Sequence, residues 1–265
     1  DVEIPSRHLG LSLDEDFCFE EFADRVAELV EKHVNINRLL ELTKPVATAV
    51  VPISAGRHTY KREPSFPIAV ACDPAFNFVY EANIRYLHHL GEVTYFSPLA
   101  DTSLPDAGFV YLPGGYPELY LAALSANRQM LQSIRRYVES GGKLLAECGG
   151  MMYLCDEIRD KNGYVYPMAG VLHQSATMEN MKLRLGYRTL LYNETRLKGH
   201  EFHYSRLVEQ QNPLPSCAVA YTAKGVETDT PLYHYKNVWA GYTHLYWADP
   251  VGNEWFTKFV IDGNT

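Results

Sequence analysis

A chain of 265 residues, of which 46% are hydrophobic, is long enough to bury a substantial core. Its formal net charge of -8 argues against nucleic-acid binding, which calls for clustered lysine and arginine, and no apolar run approaches the roughly 18 residues of a membrane span. The five cysteines are scattered and odd in number, which favours reduced thiols, and we expect a cytoplasmic protein without a signal peptide.

The first part of the chain, residues 1–64, is predicted to be a helical tail and linker, followed by a second domain over residues 65–265. Apolar residues form one stripe of a helical pattern between residues 15 and 42. Asn35 or Asn37 can cap a second short helix that ends at Leu42. Residues 43–67 combine several prolines with polar residues, which is typical of a linker.

Short apolar runs alternate with helical patterns from Ile68 onward. The alternation predicts an α/β fold with a mostly parallel sheet and helices on both faces. We expect functional groups at the C-terminal ends of its strands. Beyond residue 165 further strands are predicted, some of them antiparallel, at residues 182–192, 198–207, 217–222, 232–235 and 238–242.

A Gly-Gly turn follows one of these apolar runs. The run that ends at Leu112 leads through a proline into Gly114 and Gly115. Their backbone N–H groups can converge on an anion because no side chain covers them. This favours an oxyanion hole, although most Gly-Gly pairs after strands are only turns.

The run at residues 142–147 leads directly into Cys148, two glycines and a helix-compatible segment. This pattern predicts a nucleophile elbow, a sharp strand-to-helix turn that needs small neighbours. A helix N-terminus favours thiolate over thiol, so Cys148 is the best candidate nucleophile. The competing interpretation is a buried structural cysteine at the end of a strand.

A Cys nucleophile needs a base, and His244 is the candidate. It lies at the predicted end of a strand within an aromatic segment, residues 239–247. A histidine there can take the thiol proton and later deliver it to a leaving amine. Taken alone, His244 is better interpreted as a buried core histidine. Considered together with Cys148, it is better interpreted as a catalytic base.

Two histidines and a glutamate crowd together in residues 199–203 (GHEFH). We do not predict a metal site, because the spacing is not His-Glu-x-x-His. In an extended strand His200 and His203 point to opposite faces, whereas metal ligands must converge.

Taken together, these motifs resemble those of a known enzyme family. In this order, residues 112–118 (LPGGYPE), 146–154 (AECGGMMYL) and 199–205 (GHEFHYS) resemble the glutaminase part of the cobyrinic acid a,c-diamide synthase family, within the class I glutamine amidotransferases. The similarity extends to residues 7–11, 167–172 and 185–188, so it covers nearly the whole chain.

The resemblance implies a flavodoxin-like domain that hydrolyses glutamine. Cys148 would attack the side-chain amide, the N–H groups of Gly115 and Gly149 would stabilise the oxyanion, and His244 would protonate departing ammonia. Gly114, Glu201 and His203 would line the cleft or face a partner domain.

That partner, in the family, is an N-terminal synthetase domain. There, ATP and Mg²⁺ activate the a and c carboxylates of a cobyrinate-type corrinoid for amidation, a step of cobalamin biosynthesis. We expect no cofactor in this chain, which has no Gly-x-x-x-x-Gly-Lys-Ser/Thr motif. Residues 1–64 would be the end of that synthetase domain.

One departure from the wider class concerns the base. Many class I amidotransferases carry a glutamate two residues after the catalytic histidine, whereas this chain has Tyr246. Two other functions stay open from sequence: another Cys hydrolase of the same superfamily, or a non-catalytic domain that docks on a synthetase.

Overall fold

The chain separates into two compact units, Asp1–Thr59 and Tyr60–Thr265. The structure is a computed structural model that describes residues 6–7, 10–11, 18–43, 66–211 and 213–262. The predicted boundary at residues 64 and 65, and most of the predicted linker, lie outside these residues. None of the described helices is long and apolar enough to cross a membrane.

The first unit contains a strand pair and two helices. Strands β1 (Ser6–Arg7) and β2 (Gly10–Leu11) pair antiparallel, and helices α1 (Phe19–His33) and α2 (Ile36–Leu42) follow. The side chain of Asn35 accepts a hydrogen bond from the Arg38 amide at 3.0 Å, which confirms Asn35 as the cap of α2. Neither helix has a buried residue, so their apolar side chains lack a core within the described part of this unit.

The second unit alternates strands and helices in its first half and then adds mainly strands. The first half contains β3 (Phe66–Ala71), α3 (Glu81–Leu90), β4 (Gly91–Phe96), β5 (Phe109–Leu112), a 3₁₀ turn (Pro117–Leu119), α4 (Leu121–Ala126), α5 (Arg128–Glu139), β6 (Lys143–Glu147) and α6 (Gly149–Leu154). The second half contains β7 (Glu157–Arg159), β8 (Val165–Pro167), β9 (Ser175–Thr177), β10 (Arg184–Tyr192), β11 (Thr195–His203), β12 (Arg206–Leu207), β13 (Val219–Thr222), β14 (Glu227–Thr228), β15 (Leu232–Tyr235), β16 (Val238–Gly241), β17 (His244–Tyr246), α7 (Pro250–Thr257) and a π-helical turn (Lys258–Asp262).

The central sheet has the strand order β15-β16-β6-β5-β3-β4. All neighbouring strands in it run parallel except β15 and β16. Alternate residues of each strand enter different cores: Ala69 packs in the core shared with α5 and α6, whereas Ile68 packs in the core shared with α3 and α7. The predicted α/β fold, with helices on both faces, is therefore confirmed.

Two further sheets lie in the second half of this unit. One has the order β14-β13-β10-β11-β17 and is antiparallel, and the other has the order β12-β9-β7-β8. The antiparallel strands predicted for the C-terminal part are confirmed. The prediction of one strand that ends at His244 is wrong, because β16 ends at Gly241 and His244 begins β17. Between them, Tyr242 and Thr243 carry the chain from the central sheet to the antiparallel one.

Candidate active site

Cys148 lies between β6 and α6 in a conformation that L-residues seldom adopt. Its φ is 48° and its ψ is -105°, a strained backbone of the kind that nucleophile elbows require. A Cβ on Gly150 would lie 2.1 Å from the carbonyl oxygen of Leu112. Only glycine therefore lets α6 pack this closely on the end of β5. The elbow geometry predicted from sequence is present.

The Cys148 side chain is buried, and its amide donates to the Gly241 carbonyl at 2.8 Å. Burial raises the pKa of the Cys148 thiol far above its ordinary value, and the nearby charge of Glu118 adds to the rise. The Gly149 N–H acts in the opposite direction by hydrogen bonding to the sulfur. The helix end therefore acts in the direction that the sequence predicts, but burial outweighs this single N–H group and favours the neutral thiol in the resting protein.

His244 is buried between two aromatic side chains. Its ring stacks on that of His200 with centroids 5.0 Å apart, and Phe78 meets it edge-on at 4.5 Å. His200 lies directly opposite it in the β11–β17 pairing. Burial lowers the pKa of His244 to about 3, and the neighbouring His200 and His203 act in the same direction. The imidazole is therefore neutral at physiological pH.

The Gly114-Gly115 turn connects the surroundings of Cys148 and His244. A Cβ on Gly114 would lie 2.1 Å from His244 Cε1, and a Cβ on Gly149 would lie 3.2 Å from the Gly115 nitrogen. The turn is fixed because the Phe78 amide donates to the Gly114 carbonyl at 3.0 Å. The structure thus brings the His244 ring and the start of α6 to the same pair of glycines.

Glu147, immediately before Cys148, is a buried carboxylate that sequence reasoning did not single out. Its Oε2 accepts a hydrogen bond from the Tyr111 hydroxyl at 2.7 Å, and its Oε1 accepts one from the Leu245 amide at 3.0 Å. Burial raises the pKa of Glu147 to about 7, although both hydrogen bonds oppose the rise. The sequence does contain a signal that could have identified Glu147: it is a charged residue at the end of the apolar run Leu144-Leu145-Ala146.

Strand β11 carries the GHEFH segment, and its two histidines point to opposite faces as predicted. His200 stacks on His244, whereas His203 stacks on Tyr242 with centroids 3.8 Å apart. His203 Nδ1 donates to the Ser205 carbonyl at 2.9 Å. Among the described residues, no group of three His, Cys, Asp or Glu side chains could hold a metal ion.

Glu201 is buried on the same strand and pairs with an arginine of β10. Its Oε2 lies 2.8 Å from Arg188 Nη2, with side chains only 1% and 9% exposed respectively. Charge from Glu201 contributes to the raised pKa of Cys148, after burial, Glu118 and Glu147. This places a buried ion pair in the electrostatic neighbourhood of the thiol.

The other side of His200 is occupied by Tyr80. The Tyr80 hydroxyl and His200 Nδ1 are 2.5 Å apart, and Tyr246 meets the Tyr80 ring edge-on at 5.4 Å. Sequence analysis did not identify Phe78 or Tyr80. Both precede α3, far from the base along the chain, and no local pattern marks them.

Comparison with known proteins agrees with the geometry. The family model of the CobB/CobQ-like glutamine amidotransferase domain matches residues 67–251. A hydrogenobyrinate a,c-diamide synthase of Stutzerimonas stutzeri (strain A1501) is 36% identical over 258 residues, which cover 95% of this chain and 57% of that protein. A cobyrinate a,c-diamide synthase of Picrophilus torridus is 36% identical over 259 residues, 93% of this chain and 54% of that protein.

The chain spans about half the length of the curated relatives it matches. Among solved structures, that of PurLQS from Thermotoga maritima aligns with a TM-score of 0.48 and 17% identity, covering 75% of this chain and 96% of that one. On the family match over most of its length and on these sequence identities, this chain belongs to the CobB/CobQ-like glutamine amidotransferase family.

Proposed function

We propose that this chain hydrolyses glutamine to glutamate and ammonia through a thioester on Cys148. The observation that carries the proposal is the left-handed backbone of Cys148 at the junction of β6 and α6. Strain of this kind persists only where the surrounding structure enforces it, and it is concentrated at functional sites. Membership in a glutamine amidotransferase family supports glutamine as the substrate.

The proposed reaction is acyl transfer in two stages. In the first, the thiol proton passes to His244 while sulfur bonds to the side-chain amide carbon. The N–H groups of Gly115 and Gly149 stabilise the oxyanion. His244 then donates the proton to the amide nitrogen, the C–N bond breaks and ammonia leaves. In the second stage, water gives a proton to His244 and attacks the thioester, the C–S bond breaks, and Cys148 regains a proton as glutamate departs.

The resting site holds a neutral Cys148 thiol and a neutral His244 imidazole. Burial raises the pKa of Cys148 and lowers that of His244 to about 3, so an ion pair is disfavoured before substrate binds. Proton transfer is therefore expected together with nucleophilic attack, when the oxyanion donors can stabilise the new negative charge. A site of this kind stays unreactive in the absence of substrate.

We further propose that the ammonia serves an ATP-dependent amidation. The names of the relatives indicate amidation of the a and c carboxylates of cobyrinate or hydrogenobyrinate, and those proteins are nearly twice as long as this chain. ATP and Mg²⁺ would act in a synthetase domain outside this chain. The cytoplasm, where ATP is available, is the compartment that this proposal requires.

Residues 1–64 are assigned to that synthetase domain as part of the proposal. The observation that supports the assignment is the exposed apolar surface of α1 and α2. Phe19 is 69% exposed and Leu42 is 68% exposed. Helices of this length with no buried residue are marginal alone, and a further hydrophobic surface that covers them would stabilise them.

The test is glutamate release by the full-length protein, with Cys148→Ser compared against Cys155→Ser. Cys155 is a matched control because it is a fully buried free thiol seven residues away, with its pKa also raised by burial. We expect Cys148→Ser to reduce turnover by more than about 10³-fold and Cys155→Ser to leave it within about 3-fold, since the serine hydroxyl keeps a donor for the Met151 carbonyl to which the Cys155 thiol donates.

Two outcomes would contradict the proposal. One is loss of turnover in Cys155→Ser with Cys148→Ser active. The other is a wild-type protein that releases no glutamate when ATP, Mg²⁺ and cobyrinate are supplied, which would favour the docking role. Transfer of amide-labelled nitrogen from glutamine to cobyrinate tests the downstream step separately.

A further inference from the structure

This chain lacks the glutamate that, in many class I amidotransferases, follows the catalytic histidine by two residues, so another group must orient His244. Position 246 holds tyrosine, and the Tyr246 ring packs on Tyr80. His244 Nδ1 is buried and has no hydrogen-bond partner among the residues that the structure describes. Stacking on His200 and Phe78 fixes the plane of the ring, but stacking alone does not fix its position along the strand.

The backbone that carries the ring is held at the next residue. The Leu245 amide donates to Glu147 Oε1 at 3.0 Å, and the Leu245 carbonyl accepts from Asn83 Nδ2 at 2.8 Å. The same Asn83 side chain accepts from the Trp247 amide through Oδ1 at 3.1 Å. A strand of three residues, β17, is thus fixed by side chains from two different elements.

Glu147 is in turn fixed from its other side. Its Oε2 accepts the Tyr111 hydroxyl at 2.7 Å, and its side chain is fully enclosed, with the residue only 2% exposed. Both donors and the carboxylate lie in buried surroundings, where an unmade hydrogen bond costs most. The carboxylate therefore has one arrangement available, bridging β5 and β17.

Glu147 is also the residue before the nucleophile. It ends β6, and the Cys148 amide that follows donates to Gly241 at 2.8 Å, at the end of β16. Any displacement of Glu147 consequently moves the Leu245 peptide relative to the elbow. The Glu147 side chain is thus a direct link between the strand of the nucleophile and the strand of the base.

We infer that Glu147 is the positioning residue of His244, tying the peptide after the base to the strand that carries Cys148. Glu147 acts through hydrogen bonds to Leu245 and Tyr111 and does not contact glutamine. The inference rests on the proposed glutaminase function for its kinetic consequences, but its structural consequence at the Leu245 amide is independent of that function.

The experiment compares Glu147→Gln with Glu147→Met in the full-length protein. Glutamine keeps an acceptor oxygen for the Leu245 amide and can donate to the Tyr111 oxygen, whereas methionine has similar length and no comparable acceptor. We expect Glu147→Met to lower kcat for glutamine hydrolysis by about 10²-fold, the effect of a displacement near 1 Å. The KM should change by less than about 3-fold, because Glu147 does not bind substrate. Glu147→Gln should keep kcat within about 3-fold of wild type.

Tyr137→Phe is the control for a purely structural loss. The Tyr137 hydroxyl donates to the Lys143 carbonyl at 2.9 Å, at the opposite end of β6 from the elbow. Removing this hydrogen bond should lower thermal stability and leave kcat unchanged. Hydrogen exchange at the Leu245 amide provides a readout that does not depend on activity, and it should accelerate in Glu147→Met only.

Several results would overturn the inference. A folded Glu147→Met protein with kcat within about 3-fold of wild type would do so, since a 1 Å displacement should cost far more. If Glu147→Met does not fold, a folded Glu147→Gln protein that loses more than about 30-fold in kcat would show that charge, and not hydrogen bonding, is required. If the wild-type protein releases no glutamate, the proposed function fails. The positioning role is then tested by hydrogen exchange alone, and equal exchange rates at the Leu245 amide in Glu147→Met and Glu147→Gln would refute it.

Discussion

Replacement of Gly114 by alanine is expected to disable catalysis while it leaves most of the fold intact. The new methyl carbon would lie 2.1 Å from His244 Cε1 and 2.9 Å from Nδ1. Non-bonded carbon atoms in proteins are about 3.5 to 4.0 Å apart at their optimal separation. The ring or the turn must therefore shift by more than about 1 Å to accommodate the methyl group.

The ring cannot make that shift freely. Phe78 and His200 hold it on two sides, and the turn at Gly114 is held by the hydrogen bond from the Phe78 amide at 3.0 Å. A misplacement near 1 Å typically costs about 10²-fold in rate, so we expect kcat to fall by about that factor. The accompanying loss of stability should be about 1 to 3 kcal/mol, as for other overpacked sites.

The assay is glutamate release at saturating glutamine, with Gly141→Ala as the matched control. Gly141 has a φ of 90°, and a Cβ there would meet nothing closer than Asn237 Nδ2 at 3.8 Å. That substitution should cost about 1 to 2 kcal/mol of stability through its strained backbone and leave kcat unchanged. A Gly114→Ala protein with wild-type kcat would refute the reasoning, because it would show that His244 does not need its observed position.

Three further outcomes follow from the site and its surroundings. His244→Gln should lower kcat by about 10² to 10⁴, the range for a general acid-base group, and unchanged turnover would exclude it as the base. Iodoacetamide should react slowly with Cys148 below about pH 8 and faster as the pH rises, because burial raises the pKa of the thiol; rapid labelling at neutral pH would contradict this. Arg188→Met should destabilise the fold by about 3 to 5 kcal/mol in urea unfolding, because it leaves buried Glu201 unpaired, and Glu201→Gln in the same chain should restore part of the loss.

Stability should also depend on pH through Glu147. The folded state retains the carboxyl proton up to a pKa of about 7, whereas the unfolded chain releases it near 4.5. The free energy of unfolding should therefore fall as the pH rises through this window, by about 3 kcal/mol at 1.36 kcal/mol per pH unit. Glu147→Gln should remove this part of the dependence and leave the part that comes from Glu118, because burial raises the pKa of Glu118 to about 7 as well. An unchanged pH profile of urea unfolding in Glu147→Gln would contradict this prediction.

The elbow and the glycine turn could be predicted from sequence because both are local. Cys148 and its glycines occupy consecutive positions, and the backbone that they require is encoded within a few residues. The parallel sheet was predictable for the same reason, since each buried strand is a short apolar run between helical patterns. The Asn35 cap and the opposite faces of His200 and His203 are likewise consequences of short-range geometry.

The parts that could not be predicted depend on contacts between distant segments. Glu147 meets Leu245, and Tyr80 meets His200, across separations that no periodicity encodes. The division of the aromatic segment into β16 and β17 was missed because its residues suit a strand throughout. The net rise in the pKa of Cys148 could not be predicted, because the helix end is visible in sequence, whereas the extent of burial is a property of the whole fold.

Turnover through a thioester requires a covalent bond between Cys148 and the side-chain carbonyl carbon of glutamine. Rapid acid quenching of the full-length protein during turnover, followed by proteolysis and mass spectrometry, tests it most directly. We expect a glutamyl adduct on the peptide that carries Cys148, with no adduct on the peptide that carries Cys72. An adduct on another residue, or glutamate release from a Cys148→Ser protein at the wild-type rate, would contradict it.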